Sequence, residues 1–352
     1  VEQGVPFINA GDLINGHIDY HNCKHITSDK FNQLNGAKLK INDIVYCLRG
    51  TIGKNGLVNS GANATIASSL VCIRPVKLRP LFLFQILNSS IEERQRKMVD
   101  EGAAQPNISA TNLKKFLIPV PNDNEQEKIG EVFSKLNHLI TLQQRKLEIL
   151  IKLKRSFLTK SMANSLDKNP ELYFNSASVK WLKQKLSDLT IKEFKGNTKL
   201  NDTKPGKTEY LDAERLNGNV PLFIDKPINT LKSDILILWD GSKAGSVYYG
   251  FEGSLGSTLK AIRLNPKLVN SFFVYQQLKS KQDVIFNKYR TPNIPHVIKN
   301  FTKVYPIYFP SIAVQNKIAR FLGNLDTLIE IQQKSIKDHK VIKKYLLQKL
   351  FI

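Results

Sequence analysis

Acidic residues are scarce in this chain of 352 residues: 30 Asp and Glu stand against 52 Lys and Arg, for a formal net charge of +22. The pI is near 9.7. Residues 1–124, 125–165, 166–310 and 311–352 are each net positive, so a basic tail is not the source. Cysteine is equally sparse. Cys23, Cys47 and Cys72 are odd in number and follow no pairing pattern, which excludes a disulfide framework. Cys47 and Cys72 sit in apolar runs and are expected in the core; a reducing cytoplasm fits them. No signal-peptide pattern is present, and no uninterrupted apolar run is long enough to span a membrane. The chain also lacks G-x-G-x-x-G, a Walker loop and H-E-x-x-H. No catalytic constellation is legible, so no catalysis, metal or cofactor is expected in the chain itself.

An apolar fraction of 41% is enough for a folded core, and the length suits two domains of ordinary size with linking helices. Positive charge spread over a folded chain points first to a polyanion, usually nucleic acid. Lysine kept only for solubility is the plainer alternative.

The chain is organised around Glu125 to Ser161. Ile129, Val132, Phe133, Leu136, Leu139, Ile140, Leu147, Leu150, Leu153 and Phe157 fall at helical spacing, with no proline and one glycine, Gly130. The spacing predicts one helix about 55 Å long at ~1.5 Å per residue. Such a stripe needs a partner helix to cover it. Val314 to Lys349 supplies one, and it repeats the first at a constant offset of 189 residues. Gln126 matches Gln315, Lys128 matches Lys317, Ile129 matches Ile318 and Phe133 matches Leu322. Gln143-Gln144 matches Gln332-Gln333, and Pro121 matches Pro310. Chance amphipathicity explains one helix but not this shared register. An antiparallel coiled coil is expected, with Ile129, Leu136, Leu139, Ile318, Leu325 and Ile329 among its packing residues.

The preceding stretches repeat too. Phe7 to Gly16 matches Tyr210 to Gly218. Asn42 to Gly50, an apolar run entered through Asp43 and left through Gly50, matches Ser233 to Gly241. A second strand signal at 67–75 matches 257–266. Helices are predicted over Leu81 to Lys97 and Val269 to Lys281. Loops follow at Gln105 to Ile108 and Thr291 to Ile294, then strands at 116–121 and 304–310. The fold class is α+β: two similar mixed α/β modules separated by two long helices forming an antiparallel coiled coil. The expected segments are 1–123, 124–165, 166–311 and 312–352, with a linker near 166–171. The second module has a lead-in, residues 178–200, that the first lacks, so the first module is expected to begin before Val1.

His17, His21 and His25 are four apart, which on a helix would make a metal face; the Asn- and Gly-rich context favours surface histidines. GTIGKNG at 50–56 has the look of a phosphate loop, but no helix dipole follows it, and a structural turn is favoured. Glu92 and Glu93 read as solvated carboxylates on a charged helix. What remains is recognition chemistry in loops. Arg49, Thr51, Lys54, Gln105 and Asn107 stand in module one. Ser242, Lys243, Lys288, Tyr289, Arg290, Thr291 and Asn293 stand in module two. Arg and Lys can pair with guanine, Asn and Gln with adenine, and Lys grips phosphate. Solvated turn residues are the alternative for each.

The two helix entries, PNDNEQEKIGEVFSKLNHLITLQQRKLEILIKLKRSFL and PSIAVQNKIARFLGNLDTLIEIQQKSIKDHKVIKKYLLQKL, and the phrases NDIVYCLRGTIGKNG and YLDAERLNGN resemble the DNA specificity subunit of type I restriction–modification enzymes. The resemblance covers nearly the whole chain. It departs from the family at the missing lead-in and at Val314, which stands where a Glu is usual before Gln315. The resemblance implies two target recognition domains, each reading one half of a bipartite asymmetric site in double-stranded DNA. It implies helices that set the spacing and dock two methyltransferase subunits, with restriction/translocase subunits beyond them. S-adenosylmethionine, ATP and Mg would belong to those partners, and the location would be cytoplasmic. A fused methyltransferase–specificity protein would need an Asn/Asp-Pro-Pro-Tyr/Phe motif, which PNDN at 121–124 is not. A coiled-coil scaffold or a non-specific nucleic-acid binder is the other alternative, and steep salt dependence with sequence preference separates the first reading from it.

Overall fold

A computed structural model describes residues 1, 4–34, 36–60, 63–99, 107–162, 180–291 and 295–351. The expected linker at 166–171 lies outside the described residues. The chain forms two compact units: Val1–Lys146 with Gln332–Ile352, and Leu147–Ile331.

Unit one runs β1 (Val5–Ile8), β2 (Leu13–Ile14), β3 (His17–Ile18), β4 (Lys24–Ile26), α1 (Ser28–Gln33), β5 (Ile44–Cys47), β6 (Asn55–Leu57), β7 (Thr65–Ile66) and β8 (Leu70–Ile73). It continues through α2 (Pro80–Ile86), α3 (Ser90–Val99), α4 (Ala110–Leu113) and the start of α5 (Asp123–Ser161). β1 lies between antiparallel β4 and parallel β7. β5 lies between β6 and β8, both antiparallel. All four residues of β5 are buried because the strand serves two cores. Val45 and Cys47 join Ile8 and Leu13, whereas Ile44 and Tyr46 join Phe84 and Ile108. Alternation is present, but both faces are apolar, so the sequence reads as a continuous run.

Unit two holds β9 (Leu182–Lys185), β10 (Thr190–Lys195), β11 (Pro205–Leu211), α6 (Ala213–Leu216), β12 (Phe223–Ile224), β13 (Ile235–Leu238), β14 (Val247–Tyr248), β15 (Ser254–Leu255) and β16 (Leu259–Leu264). After these come α7 (Ser271–Ser280), α8 (Gln282–Lys288), α9 (Phe301–Val304), β17 (Pro306–Phe309) and the start of α10 (Ile312–Lys349). β11 lies between antiparallel β12 and parallel β15, as β1 does between β4 and β7. β13 lies between antiparallel β14 and β16, as β5 does between β6 and β8. Ile235 and Ile237 enter one core, and Leu236 and Leu238 the other.

Unit two has two additions: β10 extends the sheet at β16, and β9 pairs with β17. These account for one overturned expectation. Residues 116–121 are not a strand, although their echo is β17. Among the described residues, unit one supplies no counterpart of β9. The Gln95 side chain bonds the Leu117 backbone instead, accepting from its N–H at 2.6 Å and donating to its carbonyl at 2.7 Å. The helix expected over Leu81–Lys97 is also broken. Asn88 donates to the Phe84 carbonyl, and Ser89 donates to that of Ile86, so local side-chain bonds end α2 before α3 begins.

Within each unit the long helices pair antiparallel. In unit one, Gln332 and Ser335 meet Gln143, and Phe351, just past α10, stacks near Phe133. In unit two, Lys154 bonds Asp326, and Phe157 packs on Phe321 with ring centroids 4.4 Å apart. Leu325 is buried; Leu136 and Ile329 are half-buried. Leu139 is exposed, and Ile140 takes the inward place. The face that meets the partner runs 136, 140, 143, and Leu139 lies beside it. Ile129 and Ile318 pack chiefly into the units. Ile129 clusters with Phe82, Ile86, Phe133 and Phe351, and Ile318 with Phe273 and Ile307. Gly130 lets α5 close on α2, since a Cβ there would come within 2.8 Å of the Leu81 Cβ.

Candidate nucleic-acid interface

Each unit presents a loop at the end of its central strand, held from behind by an ion pair whose carboxylate is buried. In unit one, Arg74 on the residue after β8 donates Nε and Nη2 to the two oxygens of Asp43, at 2.7 and 2.6 Å. In unit two, Arg263 does the same to Asp234, at 2.8 and 2.7 Å. Both carboxylates are buried and also cap the turn before the strand, accepting from the N–H groups of Lys40 and Leu231. Burial pushes the Asp43 carboxyl up, but the hydrogen bonds from Arg74 and Lys40 outweigh it and leave the group below its ordinary value. Asp43 also pushes the neighbouring Cys72 thiol, already raised by burial, up to about 12, so Cys72 stays a protonated thiol. Cys47 is buried as expected, and Cys72 is half-buried.

At the far end of the strand the chain turns through glycine with positive φ, Gly50 at 80° and Gly241 at 111°. In unit one this exposes Arg49 and Thr51. Arg49 forms a β-bridge with Asn107, and the Ile108 N–H bonds the Leu48 carbonyl at 3.0 Å. The loops that the repeat pattern singled out are therefore in contact. Lys54 is half-buried and donates to the Ala10 carbonyl at 2.7 Å, so part of its capacity holds the loop. Gln105 lies outside the described residues.

Unit two builds the same pair. Ser242 and Lys243 are exposed, and the Arg290 guanidinium donates to the Ser242 carbonyl at 3.0 Å. The Gly241 N–H bonds the Pro295 carbonyl, and Asp240 bridges His296. Thr291 and His296 share a side-chain bond at 3.1 Å. Lys288 ends α8 and is exposed. Tyr289 does not join the others: its ring packs against Phe301 and Tyr305 in the core. Asn293 lies outside the described residues.

One further expectation, a solvated Glu92, is replaced. Glu92 is buried, accepting from the Tyr46 hydroxyl and from Arg96 Nε at 2.8 Å. His17 and His25 lie on strands β3 and β4, so the three spaced histidines share no helix face.

Two groups of residues escaped the sequence reading. Asn217, Asn219 and Glu214 line a cleft of about 430 Å³ with Ser242 and Lys243, which places the turn after α6 beside the recognition loop. The Leu-Asn-Gly-Asn phrase marked the repeat, but not this adjacency. The other group is the shared glutamine. Gln126 accepts from the Arg79 N–H at 3.1 Å and donates to the Pro121 carbonyl at 3.0 Å. Gln315 accepts from the Asn270 N–H at 2.9 Å and donates to the Pro310 carbonyl at 2.9 Å. Each clamps its long helix to the N-terminus of the helix beside it. The constant offset was the signal.

Comparison with known proteins matches residues 2–152 and 169–338 to one family, described as Type I restriction modification DNA specificity domain. The MjaVIII type I restriction enzyme specificity subunit of Methanocaldococcus jannaschii is 32% identical over 165 residues, 46% of this chain and 39% of that protein. The chain thus spans well under half of that relative. The putative MjaX specificity subunit of the same organism is 23% identical over 99% of this chain and 86% of its own length. Among solved structures, the type I restriction–modification S subunit from M. genitalium shares the fold. Its TM-score is 0.70 at 21% identity, covering 100% of this chain and 90% of that one.

Proposed function

We propose, on the premise that this chain belongs to the type I restriction–modification DNA specificity family, that each unit reads one half of a bipartite, asymmetric site in double-stranded DNA. One observation carries the reading. The same frame, an Asp–Arg pair behind a strand and a glycine turn ahead of it, presents different chemistry in the two units. Unit one offers Arg49, Thr51 and Asn107; unit two offers Ser242, Lys243, Arg290 and Thr291. Arginine, asparagine and lysine at loop tips suit base edges and phosphates in a groove. Two different sets predict two different half-sequences.

In this reading the chain is a recognition subunit without catalysis of its own. α5 and α10, each continuous through residues of both units, set the gap between half-sites. They also dock two methyltransferase subunits, and restriction/translocase subunits join through these. S-adenosylmethionine, ATP and Mg²⁺ serve the partners. The net charge of +22 supports a polyanionic ligand. Methylome sequencing of a host carrying the system tests the reading, and a split motif of two unlike halves is expected. Methylation without sequence preference would overturn it.

A further inference from the structure

Unit one contains a cleft that shares only Lys54 with the recognition residues. It lies between the turn at Asn15–His17, the end of α2, and the paired stretches of α5 and α10. Two cavities, of about 410 and 320 Å³, adjoin there and share Gly16, His17, Phe84, Asn137 and Thr141. Among the described residues, no carboxylate lines either one. Lys54, Lys340 and Lys343 line the larger. Lys343 is half-buried and has no carboxylate within ion-pair distance among the described residues. Burial holds its ammonium below the ordinary lysine value.

The smaller cavity is lined by Gln85 of α2. This side chain is 1% exposed, and neither its amide nitrogen nor its amide oxygen has a hydrogen-bond partner among the described residues. A buried amide with both ends unpaired is costly, and so is a half-buried ammonium without a counter-charge. An anion with acceptor oxygens satisfies the lysines. A planar group with one donor and one acceptor satisfies the glutamine, as adenine does when an amide pairs with it. The combined volume falls in the range of small-ligand sites.

We propose that this cleft binds a phosphorylated nucleoside, with phosphate against Lys340 and Lys343 and base edge against the Gln85 amide. The nucleoside is supplied either free or as part of a DNA strand. The inference rests on Gln85, Lys340 and Lys343, none of which belongs to the strand-end loops, and does not need those loops to read DNA.

The full chain is titrated with ATP, and separately with a duplex of random sequence, by calorimetry. Wild type is compared with Lys340→Gln/Lys343→Gln and with Gln85→Leu. A tenfold or greater loss of ATP affinity in both variants is expected if the nucleoside is free. The same loss with duplex alone assigns the source to DNA. Gln85→Leu keeps or raises the thermal midpoint, because it removes an unpaired amide; a purely structural glutamine would lower the midpoint and leave binding unchanged, which overturns the assignment. Binding of both probes unaffected by the lysine substitutions also overturns it. Duplex loss confined to Arg49→Ala and Lys243→Ala would uphold the loops and sink the cleft.

Discussion

Gln332 donates its side-chain amide to the main-chain carbonyl of Gln143 at 3.2 Å, and the two residues hold the same position in the repeat, 189 residues apart. Ser335 adds a bond to the Gln143 side chain. When two like helices run in opposite directions, matching positions meet only near one point along their length. The polar pair marks that point and fixes the register there, as a polar residue in an apolar seam does. A Gln332→Leu substitution should leave the helices formed but relax the register. Cysteine pairs placed at 143 and 332 should cross-link in wild type more completely than pairs displaced by one turn.

The clamp glutamines should matter more for stability. Gln315 is fully buried and serves the Asn270 N–H and the Pro310 carbonyl. Gln315→Leu leaves both backbone groups unpaired, at a cost of about 2–4 kcal/mol. Gln126→Leu should behave alike. Urea unfolding at constant m-value gives the measurement, and a midpoint unchanged by either substitution contradicts the clamp.

Charge placed in the helix seam should separate what periodicity alone confuses. Leu325 is buried and Leu139 exposed. Leu325→Asp buries an unpaired carboxylate and should destabilise by about 3–5 kcal/mol. Leu139→Asp should stay within about 0.5 kcal/mol of wild type. Leu136→Asp together with Leu325→Asp should abolish methylation by the assembled complex. Thermal melts and a methylation assay read both effects.

The Asp–Arg brace predicts acid sensitivity. The Asp43 carboxyl titrates below its ordinary value in the fold, because bonds from Arg74 and Lys40 outweigh burial. The unfolded state therefore binds its proton first as pH falls. Stability from this group is complete above about pH 4 and is lost as pH drops toward the folded value. Asp43→Asn should flatten that part of the stability curve. Asp234→Ala, which removes the acceptor of both Arg263 and the Leu231 N–H, should cost about 1–3 kcal/mol at neutral pH.

At the loops, Lys243→Ala should weaken binding to all duplexes alike and lower the salt slope by about 1, as loss of one phosphate contact does. Lys54→Ala should also weaken binding, with a stability cost from its bond to Ala10. Arg49→Ala should instead relax sequence preference at one position, by about 1–3 kcal/mol. Filter binding across salt concentrations distinguishes the three.

Long-range pattern was the legible part of this chain. The two long helices, the four central strands β5, β8, β13 and β16, and the strand-end loops followed from repeats and apolar runs. What stayed hidden depended on partners distant in sequence. Residues 116–121 have the composition of β17, but a strand exists only beside another strand, and composition does not say whether that neighbour is present. Glu92 looks solvated on its own helix, yet the Tyr46 hydroxyl, 46 residues away, makes burial tolerable. Tyr289 resembles a loop-tip aromatic, and only the positions of Phe301 and Tyr305 turn it inward. Leu139 and Ile140 are adjacent and alike, so which of them faces the seam is set by the partner helix.

The twin braces carry a further meaning for how such a protein can diversify. Asp43–Arg74 and Asp234–Arg263 hold the strand pairs at the opposite end, and the tip residues Arg49, Thr51, Ser242 and Lys243 are exposed rather than packed in a core. Tip residues can therefore be exchanged, even between the two copies, with little loss of integrity, so that new preferences arise from a fixed chassis by changes of a few exposed side chains.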